Sequence, residues 1–348
     1  MKKLSFLFAM VLAANVVMAQ NTSNITQTGN TNDADVTQTG SNLLNGSQTG
    51  NLNEATVTQI STTASNEALF EQGGGIYEPN PGNSNDIVIS QNGASNYAKS
   101  REYHSGNKAS ITQIGNLDIA KQWIWGGNGN TAIQSQTGGN QNYSEIAING
   151  LNGVNDARTN QVGNKNIGSI GQGWSGRAHG SNTASISQIG DQNKVDLSDY
   201  YAVGELGGYT IDLVGLGVQQ YGSGNVGRVT QDGYRNSAAI WQFGDANTGV
   251  LIQNTSNYGK AVLVQIGSHN AASLTQSYGS DADIYQEGNS NTLKGAEGWN
   301  IMATSLNGST LELDQLGNGN TLGLQQTNGA SATVMQDGMT NTSVIIQN

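Results

Sequence analysis

The sequence predicts an all-β fold, a parallel two-sheet β-solenoid, and three observations carry that prediction. A short motif recurs along nearly all of the 348 residues, apolar and polar positions alternate within each copy, and there are only 2 prolines beside 48 glycines. Alternation with period two belongs to strands, whereas a helix repeats every 3.6 residues. A chain that almost excludes proline keeps its backbone N–H groups for a hydrogen-bonded ladder.

The motif is plainest near the start, where residues 21–29 read NTSNITQTG, 32–40 read NDADVTQTG and 53–59 read NEATVTQ. The shared template is Asn-x-Ala-x-Ile/Val-x-Gln-x-Gly. Copies follow at 107–115, 182–190, 225–233 and 236–244, and residues 341–347 read NTSVIIQ. The glutamine position falls at 27, 38, 48, 59, 72, 91 and 113, and later at 220, 231, 242, 253, 265, 276 and 286. Asn, Ala, Ile/Val and Gln share one face of each strand, and Thr, Ser, Asp or Lys the other. The Gly-x-x-Asn that follows tolerates positive φ and reads as a tight turn. Two units make one rung of about 22 residues (strand, turn, strand, turn), and stacking gives roughly 13 rungs in two facing sheets about 10 Å apart, a rod on the order of 60 Å long.

In that register Gln27 lies beneath Gln48, and Gln38 beneath Gln59. Each buried carboxamide can donate to the amide on one side and accept from the other, as in amide ladders of cross-β assemblies. The expected ladder residues are Asn21, Gln27, Asn32, Gln38, Gln48, Asn53, Gln59, Asn107, Gln113, Asn182, Gln188, Asn225, Gln231, Asn236, Gln242 and Gln347. The expected apolar filling is Ile25, Val36, Val57, Ile111, Ile186, Val229, Ile240 and Ile345. A made hydrogen bond contributes about 0.5–1.5 kcal/mol, but an unmade buried one costs about 1–3 kcal/mol, so slips in register are punished.

Composition narrows the function classes. A formal net charge of −11 leaves no basic stripe to offset phosphate repulsion, which argues against nucleic acid. With 0 cysteines there is no disulfide framework, thiolate metal site or cysteine nucleophile. His104, His179 and His269 are scattered through turns, and Asp33, Asp35, Asp281 and Asp283 read as outward solubilising charges. Residues 126–130 approach a calcium-binding nonapeptide but carry Asn130 where that motif needs Asp. Neither an enzyme nor a cofactor site is expected. Lys2 and Lys3, an apolar run from Leu4 to Val17 and small residues up to Ala19 read as a cleaved secretion signal over residues 1–19, with the repeats filling 20–348. No other segment is apolar enough to span a bilayer, which needs about 20 such residues.

The tandem pattern Asn/Ser-x-x-x-Ile/Val-x-Gln-x-Gly-x-x-Asn resembles the curlin repeat of bacterial curli subunits, over nearly all of residues 21–348. That resemblance implies a subunit that leaves the cell unfolded through a curli-type export pore. Helped by nucleator or chaperone proteins, it then polymerises head to tail into extracellular amyloid fibres of the biofilm matrix and cell surface. The family's stacking residues fall here on Asn21, Ile25 and Gln27, on Asn32, Val36 and Gln38, and on Asn107, Ile111 and Gln113. Curli subunits usually place a Gly-rich export segment before the repeats and have fewer rungs, whereas here the repeats start almost at Gln20.

Some positions depart from the template. Glu102, Ile124, Ile148, Asp199 and Glu297 fall in the glutamine slot, either as brakes on assembly or because the register is locally different. Longer connections are expected near 73–84, 173–181, 200–210 and 298–308, all following odd-numbered units and so all leaving one edge of the solenoid. The same edge would gather Tyr77, Tyr103, Trp125, Trp174, Tyr200, Tyr201 and Trp299, as packing within the loops or as a contact for bundling, a partner protein or polysaccharide. The outward Thr pairs decay too quickly along the chain for an ice-binding face. A monomeric secreted β-helix adhesin or glycan-binding surface protein is the alternative to a fibre, and it requires capped ends.

Overall fold

The computed structural model describes residues 20–61, 63–73, 82–149, 154–172, 181–195, 217–295, 303–305 and 307–347. The expected secretion signal therefore lies outside the described residues, as do Tyr77, Trp174, His179, Asp199, Tyr200, Tyr201, Glu297 and Trp299. Among the described residues there are 28 strands in two parallel sheets of 14 strands each. Successive strands alternate between the sheets: Thr22–Thr28, Asn42–Thr49 and Asn66–Gln72 lie in the first, and Asp33–Thr39, Glu54–Ile60 and Asp86–Ala94 in the second. The result is a β-solenoid of 12 to 13 turns with about 23 residues per rung.

The register is the one the motif dictates. Gln27 pairs with Gln48, and Ala34, Val36 and Gln38 pair with Ala55, Val57 and Gln59. Burial alternates residue by residue, so in Glu54–Ile60 the side chains of Ala55, Val57 and Gln59 point inward. Val57, Ile111, Val229 and Ile240 are wholly buried and Ile186 nearly so, whereas Ile25, Val36 and Ile345 are half-buried because their rungs have a neighbour on one side only among the described residues. Turns are held by positive-φ residues. Gly29 sits at φ 111°, and a Cβ there would lie 1.9 Å from the carbonyl oxygen of Gly50, so only glycine fits.

Two of the expected insertions are placed differently from the sequence reading. Val195 ends one half-strand, Lys194–Val195, and Val218–Tyr221 supplies the other half, both pairing with Ile167–Gln172. Gln220, not Asp199, therefore takes the glutamine slot beside Gln172. Likewise Thr292–Gly295 and Ala303–Ser305 are halves of one strand, and Ser305, not Glu297, stands beside Gln276. The sequence breaks between Val195 and Val218 and between Gly295 and Ala303 thus fall within strands, one in each sheet, and not at the turns where the sequence reading puts them. A solenoid strand is hydrogen-bonded on both sides, so its halves stay in register when chain is inserted between them. The strands ending at Gln72 and Gln172 lie in the first sheet and the strands that follow them in the second.

The apolar core is divided. One buried cluster runs from Leu44 to Ala120, and a larger one from Ile124 to Ala332. A third, smaller cluster sits on the outer face of the first sheet, around Trp241, Val262 and Val264.

Candidate functional site

The chemistry of this molecule is in its vertical files. At each turn into the second sheet an asparagine closes the loop: Asn32 Nδ2 donates to the carbonyl of Gly50 at 2.9 Å, while its Oδ1 accepts the backbone N–H of Asn53 at 3.1 Å. The same Oδ1-to-N–H link repeats through Asn85, Asn107, Asn130, Asn155, Asn182, Asn225, Asn247, Asn270, Asn291 and Asn320 to Asn341 without a break. Asn130, in the stretch that approached a calcium motif, is one of these turn residues. On the other edge the file runs from Asn42 through Asn66, Asn96, Asp118, Asn142, Asn166 and Asn193 to Asn236, whose Oδ1 accepts from Gly259. Glycine has no side chain to extend it.

Inside, the glutamines stack with one polarity. In the second sheet Gln38 Nε2 donates to Gln59 Oε1 at 2.7 Å, and the sequence continues through Gln91, Gln113, Gln136, Gln161, Gln188, Gln231 and Gln253 to Gln276. Ser305 interrupts it, and Gln326 to Gln347 resumes at 2.9 Å. In the first sheet Gln27 donates to Gln48 at 2.6 Å and Gln48 to Gln72 at 2.9 Å. A second run links Gln172, Gln220, Gln242, Gln265, Gln286, Gln315 and Gln336. Every expected ladder residue lies in one of these files; Asn21 contributes as the acceptor for Asn42 Nδ2 at 3.2 Å.

Between those runs stand Glu102, Ile124 and Ile148, all fully buried. The exchange is compensated by polar groups that the repeat template does not contain. Residues 120–124 read AKQWI, with Gln122 and Ile124 trading the template's order. Gln122 Nε2 donates across the core to the carbonyls of Ser110 and Ala132, at 2.9 and 3.1 Å. Gln134 Nε2 donates to Ser144 Oγ at 2.9 Å, and Ser144 hydrogen-bonds Thr159. This transverse polar layer divides the apolar core. The signal was present as Gln122 and Gln134 at isoleucine positions, two residues before the usual slot.

Two carboxylates replace amides here. Asp118 takes an asparagine position, its Oδ1 accepting from both Asn142 N and Nδ2, at 2.9 and 3.1 Å. Burial raises its pKa to about 6 despite those two hydrogen bonds, which favour the charged form. Glu102 takes a glutamine position beside Gln72.

The expected aromatic edge is represented among the described residues by Tyr103 and Trp125. Tyr103 follows its strand into a turn, but Trp125 lies within Ile119–Gly126, facing outward with its ring 6.2 Å from that of Trp123. Lys99 Nζ lies 5.9 Å from the Trp123 ring, and Lys121 Nζ 5.3 Å from that of Tyr143. Trp123 and Trp125 thus occupy the sheet's outer face, and Tyr103 the turn beside it.

Among the described residues no helix is long and apolar enough to cross a membrane. Neither a protein-family model nor a curated protein matches the chain.

Proposed function

We propose that the chain is a secreted structural subunit that stacks head to tail into extracellular curli-like amyloid fibres of the cell surface and biofilm matrix. The observation that supports this reading is the common polarity of the amide files. Gln27 and Gln38 donate toward the second rung, which leaves their Oε1 atoms to accept from a rung below. Gln336 and Gln347 repeat the same geometry in the thirteenth rung, with Asn341 in the asparagine file. A second copy placed on that rung meets Gln27 above Gln336 and Gln38 above Gln347, the pairing already made inside the molecule. Unpaired strand edges are completed by the same contact, so growth needs no new surface chemistry.

Dilution of the purified chain from denaturant tests this reading. Fibres that bind thioflavin and give a 4.7–4.8 Å meridional reflection are expected. A chain that stays a soluble monomer at high concentration overturns it.

A second reading, a monomeric secreted β-helix adhesin or glycan-binding surface protein, draws support from Trp123 and Trp125 with Lys99 and Lys121 on an outward face. Partly exposed aromatic clusters of this kind commonly mark contacts.

A further inference from the structure

We propose that Glu102 enters the solenoid protonated, its carboxyl standing in for the carboxamide that the repeat places there, so that folding of the surrounding rungs takes up a proton. A neutral carboxyl is the closest mimic of a carboxamide: one oxygen accepts and the other carries a donor. Ionised, the same group only accepts.

The position asks for both functions. Glu102 stands in register with Gln72 in the file that begins at Gln27 and Gln48, and it is 0 % exposed. Gln72 Nε2 approaches Glu102 Oε2 at 3.4 Å, filling the accepting half. The donating half follows from the rungs below. There each glutamine also reaches across the core to the first carbonyl of the facing strand, Gln48 to Asp33 O at 2.7 Å and Gln72 to Glu54 O at 2.8 Å. Asp33, Glu54 and Asp86 follow one another in that strand register, so the corresponding carbonyl for Glu102 is that of Asp86. A hydroxyl on Glu102 Oε1 can donate to it; a carboxylate would oppose oxygen to oxygen. Oε1 has no hydrogen-bond partner otherwise.

Among the described residues nothing packed around the site offsets a negative charge. On its own strand Lys99 and Arg101 point to the outer face, and Arg101 is paired with Glu71 at 3.1 Å. Below is the neutral Gln72 and above is Ile124. From the facing sheet come Asp86, a like charge, and Lys108, which is exposed and lies beside Asp86 in register. Burial foremost, with Asp86 adding to it, holds the Glu102 pKa well above the ordinary carboxylate range, against the opposing hydrogen bond from Gln72.

The inference rests on the solenoid and not on assembly, so a chain that remains monomeric would end the fibre reading and leave this test intact. Folding of the full chain and of E102Q is followed by circular dichroism in denaturant from pH 5 to pH 8. Relative to E102Q, the wild-type folding constant is expected to fall by up to about tenfold per pH unit over the range where only the unfolded state is ionised. Equal pH slopes for the two proteins overturn the proposal. Infrared spectroscopy at pH 7 is the second measurement and reads the group itself. A carbonyl band of a protonated carboxyl is expected in the folded wild type and should vanish in E102Q. Absence of that band from the folded wild type also overturns it.

Discussion

Phe70 occupies the volume that a side chain on Gly46 would need. The two residues pair directly across adjacent strands, and a Cβ on Gly46 would lie 2.2 Å from the Phe70 ring. Phe70 is 2 % exposed in a core otherwise filled by Ala, Val, Ile and Leu, so the ring has nowhere to retreat. Gly46→Ala is therefore expected to destabilise the solenoid by about 1–3 kcal/mol through overpacking. Combining it with Phe70→Leu should recover part of that loss. A double-mutant cycle on denaturant midpoints checks the coupling, and additive effects would mean the two side chains do not compete for space.

Interior and terminal amides should differ sharply. Replacing Gln113 by Leu leaves a proton of Gln91 and the acceptor of Gln136 without partners, both fully buried. Each orphan costs about 1–3 kcal/mol. Gln27 is exposed in the first rung, and its loss leaves one buried acceptor, Gln48 Oε1, in place of two orphans, so Gln27→Leu should cost about half as much as Gln113→Leu. Comparable losses for the two variants, measured by chemical denaturation of unassembled protein, would show that the files add little beyond the backbone ladder.

Asp118 gives a second pH dependence, whose sign can be worked out. Its folded pKa of about 6 lies above the ordinary value of 3.8, so folding binds the protonated form more tightly. The stability this supplies is full below about pH 3.8 and is lost as the pH rises through 6. Asp118→Asn removes the loss and keeps the acceptor for Asn142. At pH 7 the variant should be more stable by about 1–2 kcal/mol, less than the whole shift implies because the turn lies close to solvent. A stability difference that does not shrink between pH 7 and pH 4 would contradict this account.

The columns were legible in the sequence because each strand carries its own register mark. A buried Gln two residues after a buried Ile or Val fixes which face is inside, and Gly-x-x-Asn fixes where the strand stops. What misled was chain inserted between those marks. Val195 and Val218 belong to one strand, yet counting onward from Asn193 puts Asp199 where Gln220 belongs. Ser305 failed for the same reason, since it replaces Gln and follows an interruption. A local count cannot see that half a strand is held in place by its neighbours. The transverse layer of Gln122, Gln134, Ser144 and Thr159 was hidden differently: each substitution breaks the motif singly, and only the facing of two sheets makes them partners.

The last rung supplies a test of how copies would meet. Ile345 points inward and is half-buried beneath a free face, whereas the neighbouring Val344 points outward and is 48 % exposed. Within the molecule Ile345 lies in register with Leu324, and stacking would place Val36 of a second copy on its other side. Ile345→Asp would then put a charge against an apolar side chain inside the new contact, with no partner to neutralise it. Val344→Asp changes charge and β-propensity equally but leaves the stacking face untouched. The expected result is a critical concentration at least tenfold higher for Ile345→Asp, about 1.4 kcal/mol, and little change for Val344→Asp. Both variants should keep the circular dichroism of the wild-type monomer, since the substitutions lie in the final strand. Equal inhibition by the two would point to general repulsion between acidic chains, and equal growth would mean that assembly does not run through this face.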